Sequence, residues 1–259
     1  MTIRSFFARW PLAALPFLAL LTTAGCRGGS SPGFNAAQEW GRIDKQAQDL
    51  RAVRTQMDAL RAQLERWEAA AGNPKAADLP SESAAVLKER LETLRKDKYR
   101  NAVTAFWDNL TLFMDRALND SQLKSSPEAA KAARLFADES ITLALERVRD
   151  EGRYDRAIEV LEQAIKYDPD YPLLKAELAR TRSFLRLTRE RFERVETGMT
   201  MPAARALCGV PAPAAIQERT EKGRTLTAWL YPRDDGAWAA LFFQDGLLYE
   251  KSWDAQPKP

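Results

Sequence analysis

The chain has no histidine, only two cysteines, and no apolar run long enough to cross a bilayer. The first absence removes the commonest general base, proton shuttle and zinc ligand together. The second leaves Cys26 and Cys208 as the only thiols. Once Cys26 is committed elsewhere, no intramolecular disulfide, CxxC motif or cysteine metal cluster can form. No P-loop occurs, and neither a nucleophile-elbow serine nor a serine–lysine nucleophile is expected. The acidic pairs Asp168/Asp170 and Asp234/Asp235 stand in turn contexts and read as turn residues. A formal charge of +3 over 259 residues is too small for a nucleic-acid binder by bulk charge. These absences argue for a non-catalytic protein without cofactor, metal or nucleic-acid partner.

What the N-terminus does contain is a secretory signal. Arg4 and Arg9 form a positive segment, Trp10–Leu21 an apolar one of 12 residues, and Ala24-Gly25 the small residues before a cut. Leu20-Leu21-Thr22-Thr23-Ala24-Gly25-Cys26 resembles the lipobox of bacterial lipoproteins. That resemblance implies a signal peptide over 1–25, cleavage between Gly25 and Cys26, and lipidation of Cys26 by a diacylglyceryl thioether and an amide-linked chain such as palmitate. Two or three acyl chains make a stable membrane anchor where one is marginal. Removing Arg4 and Arg9 takes the formal charge from +3 to +1. Residues 26–34, rich in Gly and Ser, read as a flexible tether. Arg27 follows the cysteine where inner-membrane lipoproteins often carry Asp. The resemblance therefore points to the periplasmic face of the outer membrane.

Residues 35–72 read as a coiled-coil-like helix. Asn35 can cap it, with Gln38 three residues on. Apolar residues recur at Trp40, Ile43, Ala47, Leu50, Val53, Met57, Leu60, Leu64 and Trp67, a heptad seam with one stammer between Leu50 and Val53. The seam suits either a homo-oligomer through residues 36–71 or packing on the chain's own later helices. Extended, it would make a rod of roughly 50 Å. Gly72-Asn73-Pro74 ends it, and a linker follows to residue 83.

Residues 84–195 read as helical. Val103, Phe106, Leu110, Phe113, Met114 and Ala117 form a broad core-facing stripe. Ser126-Pro127-Glu128 is a strong helix start. Gly152-Arg153-Tyr154-Asp155-Arg156-Ala157, then Leu161, Ala164 and Pro169, resembles the second half of a tetratricopeptide repeat (TPR), a helix–turn–helix unit. In that unit Gly152 permits the tight turn, Tyr154 fills the space beside it, and Ala157 and Ala164 stand where helices cross. Leu161 packs between them and Pro169 stops the helix. From Leu173 through Phe192 a long third helix is expected. It would carry Arg180, Arg182, Arg186, Arg189, Arg191 and Arg194, as a solvated face or as a contact for anionic lipid.

Residues 196–254 form a different module. Gly198-Met199-Thr200, Leu207-Cys208-Gly209-Val210-Pro211, Trp229-Leu230-Tyr231 and Phe243-Gln244-Asp245-Gly246 resemble, in order, the SmpA/OmlA (BamE-like) lipoprotein domain. From the residues alone, Thr200 can cap a helix that closes at Gly209. Strands are expected at 225–231, 237–244 and 247–253 with a tight Asp245-Gly246 hairpin. Cys208, at a position usually apolar in the family, reads as a buried small hydrophobe. The family's lipidated cysteine lies close to the module, whereas here a long helical region intervenes. The expected fold is mostly α with a C-terminal α+β module of about three antiparallel strands. The expected function is a membrane-anchored adaptor binding envelope proteins, in outer-membrane assembly or maintenance. An oligomeric coiled-coil/TPR scaffold of a cell-wall, secretion or motility apparatus is the alternative.

Overall fold

The computed structural model describes residues 34–70 and 80–256. The fold is helical through Cys208 and closes in an antiparallel sheet of order β1-β2-β3-β4. The described chain divides into two compact units. One holds the residues up to Ala59 with Glu89–Ala132, the other Leu60–Lys88 with the residues from Ala133 on.

In the first unit, helix α1 (Ala36–Ala69) begins as expected, with the Gln38 N–H donating to Asn35 Oδ1 at 3.1 Å. Helix α2 (Ala84–Leu94) runs through a π-helical stretch, Arg95–Tyr99, into α3 (Arg100–Asn119). The expected stripe of α3, from Val103 to Ala117, is buried. Seam residues Ile43, Ala47 and Leu50 of α1 are fully buried and Met57 is 1 % exposed. Asn109 Nδ2 donates to Gln46 Oε1 at 3.1 Å, and the rings of Phe34 and Phe113 lie 6.2 Å apart. Asp120 caps the one-turn helix α4 (Ser121–Lys124), and Ser126 Oγ accepts from Ala129 N–H at the start of α5 (Pro127–Glu151).

The covered seam favours intramolecular packing over the oligomeric rod. A chain whose α1 stripe is already buried gains little from a second copy. The lipid-free protein is therefore expected to be monomeric by light scattering. A stable dimer would show that the seam exchanges its partners.

In the second unit, α5 continues into α6 (Tyr154–Ile165) and α7 (Pro172–Ser183), which pack as a helical layer. Asp150 on α5 receives Arg61 at 2.7 Å, with both side chains largely buried. The long third helix is not formed. α7 ends at Ser183, and the Leu187 N–H donates to the Pro232 carbonyl at 2.9 Å, drawing the chain onto the sheet. Thr188 then caps a separate short helix, α8 (Arg189–Glu193). A helical apolar period cannot reveal such a long-range bond.

The module core gathers Leu187, Phe192 and Val195 with Ala204 and Cys208 of α9 (Met201–Cys208). These pack on one face of the sheet, against Trp229, Tyr231, Ala239, Leu241, Phe243 and Leu248. Strands β2 (Arg224–Pro232), β3 (Trp238–Gln244) and β4 (Leu247–Ala255) match the three expected ones to within a few residues. The sheet has one strand more, β1 (Ile216–Glu221). All its residues are exposed, so it lacks the alternation by which a half-buried strand is read.

Candidate interaction site

The turn between α5 and α6 is formed by residues 152–153. Gly152 has φ +58°, a left-handed value that closes the α5–α6 turn. Ala157, Leu161 and Ala164 are all fully buried, packed with Ala137, Ala144, Leu174 and Leu178. Small residues let the helices approach closely, and Leu161 fills the layer between them. Pro169 sits in the turn after α6, where the Tyr171 N–H donates to the Asp168 carbonyl at 3.3 Å.

The structure joins two motifs that the sequence presents separately. Tyr154 does more than fill space beside its own turn. Its hydroxyl accepts the Val210 N–H at 2.9 Å, and its ring stacks 6.3 Å from that of Phe184. Tyr231 Oη, from β2, donates to the carbonyl of Gly209 at 3.0 Å. The Gly209–Val210 peptide is thus held between a tyrosine of the helical layer and one of the sheet. Burial raises the pKa of both phenols, that of Tyr231 far more, so both hydroxyls keep their protons. Gly152 meets buried Pro211: a Cβ on Gly152 would stand 2.5 Å from the Pro211 carbonyl oxygen. Gly209 itself has φ +89° and ψ 178°, conformation that belongs essentially to glycine.

The other module residues fall into two places. Leu207, Trp229 and Phe243 belong to the core, with the rings of Trp229 and Phe243 4.4 Å apart. Gly198, Met199 and Gly246 clasp one sheet edge: the Gly198 N–H donates to the Leu248 carbonyl at 2.7 Å. The Leu248 N–H returns to Met199 at 2.8 Å, and the Met201 N–H reaches Gly246 at 3.3 Å. Gly25 and Cys26 lie outside the described residues, as do Gly72-Asn73-Pro74.

Sequence reading missed a set of cations that pack on the module's aromatic rings. The guanidinium groups of Arg189 and Arg233 lie 5.1 and 4.2 Å from the ring centre of Trp253. Arg205 covers Trp229, and Lys251 covers Phe192 while donating to the carbonyls of Phe192, Glu193 and Val195. Lys251 thereby satisfies the end of α8. Arg233 also pairs with Asp235 and Asp254. The arginine-rich stretch is largely engaged. Arg180 pairs with Glu177, Arg182 with Glu162 and Arg189 with Glu193. Arg191 donates to the carbonyls of Ser183 and Arg186. That pattern supports the solvated and structural reading over a lipid-binding face.

Two possible chemical centres carry little reactivity. Ser121 and Lys124 have the Ser-x-x-Lys spacing that sequence reading passed over, but both are exposed on a four-residue helix. Cys208 is buried as expected, and burial pushes its thiol up to about 11. The folded state therefore holds this proton more tightly than the unfolded chain. The thiol's contribution to stability is full below the ordinary thiol pKa and is lost as pH rises through about 11. The native chain with Cys26 replaced is expected to stay unlabelled by a thiol reagent at neutral pH and to react on denaturation. Prompt labelling of the native chain would contradict that burial.

A family model described as TPR repeat matches residues 147–179. The match takes in the end of α5, all of α6 and most of α7, the layer whose packing is described above. This part of the chain is a TPR-like, protein-interaction module, and proteins are the partner class it defines. No curated protein and no solved structure matches the chain significantly. Among the described residues, no helix is long and apolar enough to cross a membrane, and no cluster of acidic and cysteine side chains is placed to hold a metal.

Proposed function

We propose that the protein is a lipid-anchored, non-catalytic adaptor of the cell envelope, working at the periplasmic face of the outer membrane in its assembly or maintenance. Cys26 carries the anchor, the α5–α7 layer supplies a protein-binding surface, and the C-terminal SmpA/OmlA-like module docks on an envelope protein. The observation that carries this reading is the TPR repeat, clamped to the C-terminal module through Tyr154, Gly209 and Tyr231. Two recognition elements held rigidly together suit the bridging of partners better than two tethered ones, because less orientational freedom is lost on binding.

The test is crosslinking of the intact chain in its own membranes, followed by identification of captured proteins. A chain cut after Arg194 would be a poor comparison, because Leu187, Phe192 and Val195 belong to the module core. Leu173→Glu is better placed: Leu173 is 57 % exposed at the start of α7, so the change leaves the core intact. Recovery of outer-membrane proteins from the parent chain, reduced by Leu173→Glu, supports the adaptor. Recovery of none overturns it. The oligomeric scaffold loses its main support with the burial of Ile43, Ala47 and Leu50 inside the single chain.

A further inference from the structure

The chain treats the two edges of its sheet differently. Along β4, the segment Gly198–Met201 pairs with Gly246–Leu248 and covers the strand's beginning. Along β1, among the described residues, β2 is the only pairing strand, and all six residues from Ile216 to Glu221 are exposed.

The hairpin settles which backbone groups face outward. Lys222 and Gly223 have φ +51° and +77°, the two-residue turn in which both positions are left-handed. Such a turn closes on a hydrogen-bonded pair, here Glu221 with Arg224. Alternation makes Arg219–Leu226 and Gln217–Ala228 the next hydrogen-bonded pairs. The N–H and C=O of Glu218 and Thr220, with the C=O of Ile216, therefore point to the open edge, while the Ile216 N–H donates to the Pro213 carbonyl. Their side chains share the face of their register partners Trp229, Thr227 and Thr225.

We propose that β1 is a docking edge that takes up an extended segment of a protein partner as a fifth strand, with a basic residue opposite Glu218 and an apolar one opposite Ile216. The reading rests on the module being the adaptor's docking element. The side chains specify the partner. Arg219 is paired with Glu221 on the far face at 3.3 Å, whereas Glu218 has no ion pair among the described residues. Ile216, 37 % exposed, stands two residues away on the same face as Glu218.

A second copy of this chain is a poor occupant. Two β1 strands related by a two-fold axis keep the same face up, so only residues of like orientation can oppose each other. The two longest registers then set Glu218 against Glu218 or Arg219 against Arg219, and like charges directly opposed disfavour pairing. Charged edge strands guard against self-association in this way. They do not guard against a strand of opposite charge.

The test uses the chain with Cys26→Ser, freed of lipid and signal, and a capped synthetic peptide of alternating Val and Thr with a central Lys. On binding, the amides of Glu218 and Thr220 are expected to become protected from hydrogen exchange, with little change at Gln217 and Arg219. A peptide with central Glu should bind about tenfold more weakly, a difference of one charge-assisted contact, and Glu218→Lys should reverse that preference. Glu218→Pro deletes an outward N–H only, so the chain should stay folded and lose the peptide. Absence of amide protection overturns the proposal, as does equal binding by a peptide N-methylated along its pairing edge. If membrane crosslinking still recovers envelope proteins with Glu218→Pro, the adaptor stands and the edge does not.

Discussion

Alanine at Gly152 is expected to destabilise the protein by about 3 kcal/mol, although the change adds a single methyl group. At φ +58° a side chain costs about 1 kcal/mol by itself. The added Cβ would also stand 2.5 Å from the Pro211 oxygen, 2.7 Å from its carbonyl carbon and 2.8 Å from the Ala212 Cα. All three are backbone atoms, so no rotamer change relieves the contact. Relief requires the α5–α6 turn to separate from the segment 209–212, which strains or breaks the Tyr154–Val210 hydrogen bond. Overpacking of this kind costs roughly 1–3 kcal/mol. Urea denaturation of the lipid-free chain measures the loss. Gly41 supplies the opposite control. It lies within α1 with open space where an added Cβ would stand, so Gly41→Ala should stabilise by about 0.5–1 kcal/mol. If both substitutions shift the midpoint alike, the turn and the module do not meet in solution as they do here.

The same joint shows what can and cannot be read from a sequence. Gly152 and Gly209 each have a local reason to be glycine, a turn and a helix end, and both reasons hold. The second reason, that Pro211 lies against Gly152 and Tyr154 against Gly209, joins residues far apart in the chain. No local pattern carries it. The helix starts at Asn35, Ser126 and Thr200 were legible because a cap needs only a few neighbouring residues. Strands β2 and β3 were legible in part because Trp229, Tyr231, Leu241 and Phe243 all face a core. β1 was not, since an edge strand exposed on both faces shows no hydrophobic period. The break after Ser183 was hidden for the converse reason: Phe184, Leu185 and Leu187 keep a helical spacing while Leu187 belongs to the sheet. The covering of Trp253 by two arginines also stayed hidden, because Arg189 and Arg233 read as ordinary surface charge until the fold brings them to one ring.

Cys26→Ser is expected to have the largest effect on where the protein resides. On the lipoprotein reading, the Cys26 thiol is the acceptor of the first lipid, and a serine hydroxyl is a far weaker nucleophile than a thiolate. Incorporation of labelled palmitate should therefore fall to background. The anchor's strength lies in buried methylenes, at about 0.8 kcal/mol each, so no contact made by the folded domains replaces it. Cleavage after Gly25 should fail as well if it depends on the lipid, leaving a precursor that still carries Arg4 and Arg9. That precursor holds only the short apolar run Trp10–Leu21, which is insufficient to span a bilayer. Mass spectrometry of the N-terminus after membrane fractionation separates the outcomes. An unlipidated precursor supports the anchor at Cys26. A variant cut normally and released as soluble protein would show an ordinary secretory signal with an incidental cysteine, and would remove the membrane from the adaptor's role while leaving its TPR layer untouched.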